Sequence, residues 1–236
     1  MRSWLKMAGV ILLTIFLTRF IPFSDFFRNI DTLVHELGHA VVTLLLKGNV
    51  MHISLFASQS GVTYTSFTES WMSIPISLAG YSASALFAVL LFFLYARGQE
   101  RTGLMMVTII AAVGLALFVR NSYGMIWCVG FTALSAIIYF IGPAWLRQGY
   151  YLLIAFICLV ESILSPLVLV YLSLINPSSA GDAASLSRIT FVPAIVWAIV
   201  FTVFSLWCAK GSVALLFKRG LWQRSGNKKS NPIELS

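Results

Sequence analysis

Charge is what this chain has least of. Only 10% of its 236 residues are charged, while 59% are hydrophobic, against roughly a quarter charged in a soluble domain. A soluble domain is thereby excluded, and apolar runs of about twenty residues that recur along nearly the whole length point to a bilayer, not to one buried core. Cysteine is sparse as well. Cys128, Cys158 and Cys208 lie in separate apolar runs, which leaves neither a disulfide framework nor a Cys-x-x-Cys metal site. No internal repeat stands out that would suggest an inverted-repeat transporter. The chain reads as an all-α polytopic membrane protein.

The net charge of +8 would suit nucleic acid in a soluble chain, but its position excludes that partner. Lys218, Arg219, Arg224, Lys228 and Lys229 follow the last apolar run, and the other basic residues stand near the ends of runs. This is the positive-inside pattern of a multi-pass protein of the plasma membrane. It predicts one integral membrane domain over residues 1–217 and a basic, disordered cytoplasmic tail over 218–236 beside anionic lipids.

Arg2 and Lys6 precede an apolar stretch at 7–23 that begins like a signal peptide. Arg19 and Phe20 stand where a small-residue cleavage site belongs, so a retained membrane helix is expected. Five long runs, at about 71–96, 103–119, 123–140, 150–175 and 189–209, bring the expected number of spans to six or seven. Between them, residues 48–70 read as a short membrane-associated β-hairpin, with β-formers at 50–56 and 62–65 around a Ser/Gln/Gly turn. Residues 176–187 are the other long polar interruption.

Of the eight carboxylates, only Glu36 and Glu161 fall inside apolar runs, where an ionisable group costs about 3 kcal/mol and marks function. Glu36 belongs to His35-Glu36-Leu37-Gly38-His39. On a helix this puts two imidazoles on one face, about 6 Å apart along the axis, where they can grip one Zn²⁺ while the carboxylate serves as base toward water. Asn29 or Asp31 offers an N-cap, Gly48 a C-terminal cap, and the helix expected over 32–47 measures about 24 Å, short of the ~30 Å hydrocarbon core. Gly38 and Ala40 would let neighbouring helices approach closely.

A catalytic zinc takes a third protein ligand. Asp31 lies about 12 Å from His39 along the helix, which suits a cap or a hydrogen-bond partner of His35. His52 is either a ligand that folds back or a strand histidine in water. Glu161 is either a ligand or a helix-packing hydrogen-bonder, and Asp182 either a ligand or the N-cap of the last long helix. Residue chemistry alone does not separate Asp182 from Glu161.

These motifs carry a resemblance. His35-Glu36-Leu37-Gly38-His39-Ala40 on an early helix, Gly61-Val62-Thr63-Tyr64-Thr65 in the hairpin, Ala79-Gly80-Tyr81, Arg120-Asn121, and Gly181-Asp182-Ala183 before Pro193-Ala194-Ile195-Val196-Trp197 resemble the site-2 protease class of intramembrane zinc metallopeptidases, and within it the small bacterial peptidase M50B-like branch. The resemblance implies that His35 and His39 bind zinc, that Asp182 is the third ligand, and that Glu36 is the general base. Larger members set that aspartate in Asn-Pro-Asp-Gly or Leu-Asp-Gly, where this chain has Gly-Asp-Ala.

The activity implied is hydrolysis of a peptide bond within or near a transmembrane helix of a membrane-protein substrate, with no soluble partner. Such a helix must unwind first, and the hairpin at 50–65 could take up the unwound segment as an added strand. Asn121 is expected to hold substrate backbone or to serve as a turn residue. The rival classes are a non-proteolytic metal-binding scaffold or regulator of the same fold, which should have lost Glu36, and a metal or proton transporter, which should line several spans with ionisable groups where only Glu161 is available. If the His35 helix and its hairpin only dip into the membrane, six spans put both termini in the cytoplasm.

Overall fold

The computed structural model describes Gly9 and residues 24–229. Apart from Gly9, the helix expected at 7–23 lies outside the described residues. The first complete helix, α1, runs Ser24–Leu45, beginning eight residues before the predicted start. The reason is that Asn29 and Asp31 do not cap it. Both are buried in its body, and the Asn29 amide donates to the Tyr123 hydroxyl at 2.9 Å. With 22 residues, α1 is about 33 Å long, so its length no longer favours a helix that only dips into the bilayer.

The C-terminal end of α1 is a Schellman turn. Lys47 takes the left-handed conformation (φ 62°), its N–H bonds the Leu44 carbonyl, and the Gly48 N–H bonds the Thr43 carbonyl. The expected glycine cap is thus displaced by one residue, and Gly48 is small for a different reason. A Cβ there would lie 2.8 Å from Thr43 Cγ2 and 3.1 Å from the Ser66 carbonyl.

The hairpin forms as predicted, with β1 at Asn49–Leu55 and β2 at Gly61–Ser66 in antiparallel register and an irregularity between Val50 and His52. It folds back along α1, and the Thr32 hydroxyl donates to the Gln59 carbonyl in its turn. Residues 118–121 cover the outer edge of β1. The Ile53 N–H bonds the Phe118 carbonyl and the Arg120 N–H bonds the Ile53 carbonyl, while both amide atoms of Asn121 pair with the main chain of Leu55.

Then follow α2 (Ser73–Ala96), α3 (Glu100–Leu117), α4 (Ser122–Phe140), α5 (Ala144–Ile175), α6 (Gly181–Thr190) and α7 (Ala194–Lys229), so that helix continues into the basic segment expected to be disordered. Among the described residues, five helices are long and apolar enough to cross a membrane: Ser70–Ala96, Glu100–Leu117, Ser122–Phe140, Ala144–Ile175 and Ala194–Lys218. They match the five long apolar runs. The last begins later than expected because the polar segment before it is itself folded. Pro177–Ser179 form a 3-10 turn, α6 follows, and the left-handed Phe191 (φ 58°) and Pro193 separate α6 from α7.

α1 and α2 lie side by side in opposite directions. His39 meets Ile76, Gly38 meets Ala79 and Ala83, and Asp31 meets Ser84. A Cβ on Gly38 would come within 2.7 Å of the Ala83 Cβ, so the small-residue contact expected around the histidines is formed. The main core joins Leu33 of α1, Leu91 and Phe92 of α2, Phe131 of α4 and Tyr151 and Ile154 of α5. Its buried aromatics keep their polar ends paired, as burial requires. The Tyr151 hydroxyl donates to the Leu91 carbonyl at 2.7 Å and the Trp127 indole to the Phe26 carbonyl at 2.7 Å.

Candidate metal centre

Helical spacing alone sets His35 above His39 on α1, and packing then aims both rings at α2. The α2 backbone passes beneath them at Gly80, where a Cβ would lie 2.5 Å from both Nε2 atoms. No larger residue fits there without displacing the rings. The Nδ1 of His39 lies 2.7 Å from the Ile76 carbonyl. A carbonyl only accepts, so Nδ1 carries the hydrogen, and whenever the ring is neutral the lone pair is on Nε2. Tyr81 packs edge-on against His35, with ring centroids 4.5 Å apart, and holds that ring from the side.

The third member arrives from a distant part of the chain. α6 rests on α5 and α7 through Ala183, Ala184, Leu186, Leu169 and Ala198, and its first turn carries Asp182. One carboxylate oxygen, Oδ2, stands 3.2 Å from His35 Nε2 and 3.3 Å from His39 Nε2, while the two Nε2 atoms are 3.0 Å apart. Among the described residues, these three are the group of histidine, cysteine and carboxylate side chains close enough to hold a metal ion. A tetrahedral ion with bonds of about 2.0–2.1 Å needs donor atoms roughly 3.3 Å apart, and this triangle is near that size. Two nitrogen lone pairs facing a carboxylate oxygen repel one another unless a proton or cation lies between them. The donor set therefore fits zinc. Burial would raise the Asp182 carboxyl, but His39 and His35, in their protonated form, outweigh it by charge and hydrogen bonding and hold the group below the usual carboxylate range.

Glu36 is buried and opens on the same cleft of about 810 Å³, which β2, α2, α5 and α6 help to line. Its carboxylate is met by Thr63 of β2, whose hydroxyl lies 2.6 Å from Glu36 Oε2 and 3.0 Å from the Glu36 carbonyl. Of the three third-ligand candidates that residue chemistry leaves open, the structure brings one to the two histidines. Asp182 joins the histidines. Glu161 lines the cleft but takes Arg28 in a two-pronged ion pair at 2.8 and 3.2 Å, bracing α5 on α1. His52 stacks on Tyr64 in the hairpin at 4.4 Å. Asp31 makes no hydrogen bond to His35, and its Oδ1 is buried without a partner. Asn121, expected to hold substrate backbone or to serve as a turn residue, pairs at the α3–α4 junction with the main chain of this protein's own β1, because the 118–121 segment lies along that strand. Thr63 and Gly80 escaped the sequence reading as site residues, although the motifs containing them had carried the resemblance.

No curated protein and no solved structure compared with the chain matches it. A family model described as Peptidase M50B-like matches residues 7–212.

Proposed function

The chain belongs to the Peptidase M50B-like family, and from that premise we propose that it is an intramembrane zinc metalloprotease that hydrolyses a peptide bond within or near a transmembrane helix. The convergence of His35, His39 and Asp182 within 3.3 Å, beside the buried carboxylate of Glu36, carries the reading. His35, His39 and Asp182 would hold the ion. Zinc there supplies Lewis acidity toward water and toward a peptide carbonyl.

The chain's own groups do the rest. Ile76 fixes the tautomer and orientation of His39. Glu36 accepts a proton from the attacking water and returns it to the departing amine nitrogen. The cleft and the hairpin supply a place for an unwound substrate. Ile53 and Leu55 spend their main-chain groups on residues 118–121, so their partners Thr63 and Gly61 occupy the non-hydrogen-bonded positions of the β1–β2 ladder. The N–H and C=O groups of Thr63 and Gly61 consequently face the outer edge of β2, on the cleft. A substrate strand added at that edge would lie beside Glu36.

The test is Glu36→Gln in full-length protein reconstituted with zinc and a single-span helix reporter. Cleavage should fall by at least about 100-fold, the usual share of a general base, while bound zinc stays at the wild-type level. Undiminished cleavage would overturn the proteolytic mechanism.

A further inference from the structure

We infer that Thr63 and Gly61 of β2 form a cradle that positions the Glu36 carboxylate, which makes the hairpin part of the catalytic unit as well as a docking edge. The inference rests on the proposed proteolytic reading, in which Glu36 is the base. Along β2, residues 61, 63 and 65 turn inward while Val62 and Tyr64 are exposed, and this alternation aims the Thr63 side chain at α1. The 2.6 Å separation between Thr63 Oγ1 and Glu36 Oε2 is that of a hydroxyl bonded to a charged oxygen. The same hydroxyl lies 3.0 Å from the main-chain oxygen of Glu36, so one group references the carboxylate to the helix that also bears His35 and His39.

Gly61 closes the other side. A Cβ there would lie 2.5 Å from Glu36 Oε1, 2.6 Å from Cγ and 2.8 Å from Cδ. Those atoms are the far end of a flexible side chain, so an added methyl group would be accommodated by moving the carboxylate and not by moving helices. A glycine is needed here for space, since φ at Gly61 is not positive. The cradle is itself anchored. Leu55, the register partner of Gly61, is clamped by Asn121, and Ile53, the partner of Thr63, is bonded to residues 118–120. The main chain of Thr63 faces the edge proposed for substrate while its side chain holds the base, so a single residue joins the two.

The test uses zinc-loaded full-length protein in lipid nanodiscs, with dye-labelled casein as the probe, an unfolded chain whose peptide bonds need no unwinding. Thr63→Val keeps the shape and removes the hydroxyl. It should lower kcat roughly 10- to 100-fold, the usual cost of a misplaced catalytic group, with KM within about 2-fold and zinc content unchanged. Thr63→Ser should restore most of kcat. Gly61→Ala should reproduce the kcat loss with an unchanged Tm, and Thr63→Val added to Glu36→Gln should cause no further loss. Wild-type kcat in Thr63→Val, or an equal loss in Thr63→Ser, overturns the inference.

A second readout needs no turnover. Acetohydroxamate bound at the zinc requires a proton acceptor beside the metal, and its affinity should fall by a similar factor in Glu36→Gln and Thr63→Val but hold in Thr63→Ser. If the wild type cleaves neither casein nor helix reporters while this pattern of affinities appears, the proteolytic reading fails and the cradle stands. Unchanged affinity in Thr63→Val removes the cradle.

Discussion

Two imidazoles four residues apart on a helix are legible in any sequence, and so was their consequence, since chemistry this costly at membrane depth needs a ligand to justify it. Glu36 was legible for the same reason. Asp182 was legible only through the family resemblance, because nothing near residue 182 announces that a ten-residue helix there packs back against α5 and α7. Asn29 and Asp31 misled in the opposite sense. Short polar residues before an apolar stretch read as caps, and only the fold reveals Tyr123 waiting for the Asn29 amide. Gly80 is the sharpest case of a residue whose role lies wholly in three dimensions. Gly80→Ala should push both imidazoles aside and weaken zinc binding roughly 10- to 100-fold, the range seen when ligands lose their orientation. Zinc competition with a chelator on folded protein checks it, and an unchanged affinity would mean that the rings do not depend on the α2 backbone.

The elements around the centre are held by few polar links, and each does identifiable work. β1 is tied to residues 118–121 by main-chain bonds and by Asn121, which leaves β2 with the free edge. The alternation of β-formers showed that a hairpin exists, but it could not show which edge would be covered, because residues 118–121 belong to a helix junction far along the chain. Arg28 and Glu161 tie α1 to α5 with both side chains largely out of solvent. In the sequence Glu161 competed with Asp182 for the metal because both are carboxylates beside apolar runs; the arginine that claims it sits 133 residues away. Removing the arginine takes a two-pronged cation away from a largely buried carboxylate. Arg28→Ala should therefore destabilise the protein by about 3 kcal/mol, whereas Arg28→Met with Glu161→Leu should cost less than either single change. Unfolding of the purified protein in detergent measures this, and an Arg28→Ala variant as stable as the wild type would show that the ion pair does not brace the helices.

For the whole molecule, apolar run lengths located the five helices able to cross a membrane, and the difficulty lay in the helix that bears His35 and His39. α1 bears Asp25, Arg28, Asp31 and Glu36, so hydropathy undervalues it, yet it runs antiparallel to α2, which is long and apolar enough to cross a membrane, at a length of about 33 Å. If α1 crosses with α2, α3, α4, α5 and α7, its first turn and the C-terminal tail lie on the same side of the membrane. Asp25→Cys and Ser236→Cys test that arrangement with an impermeant thiol reagent, because the native cysteines are all buried. Labelling of both from one face is expected, and labelling from opposite faces would remove α1 from the spans. The central claim is that one zinc sits among His35, His39 and Asp182. Its most direct test is the zinc content of the purified full chain beside its Asp182→Ala, Glu161→Gln and His52→Ala variants under one chelator concentration. One zinc per chain is predicted in the wild type, Glu161→Gln and His52→Ala, with affinity at least roughly 100-fold lower in Asp182→Ala. A wild type without zinc, or a loss that follows Glu161 or His52 in place of Asp182, would contradict it.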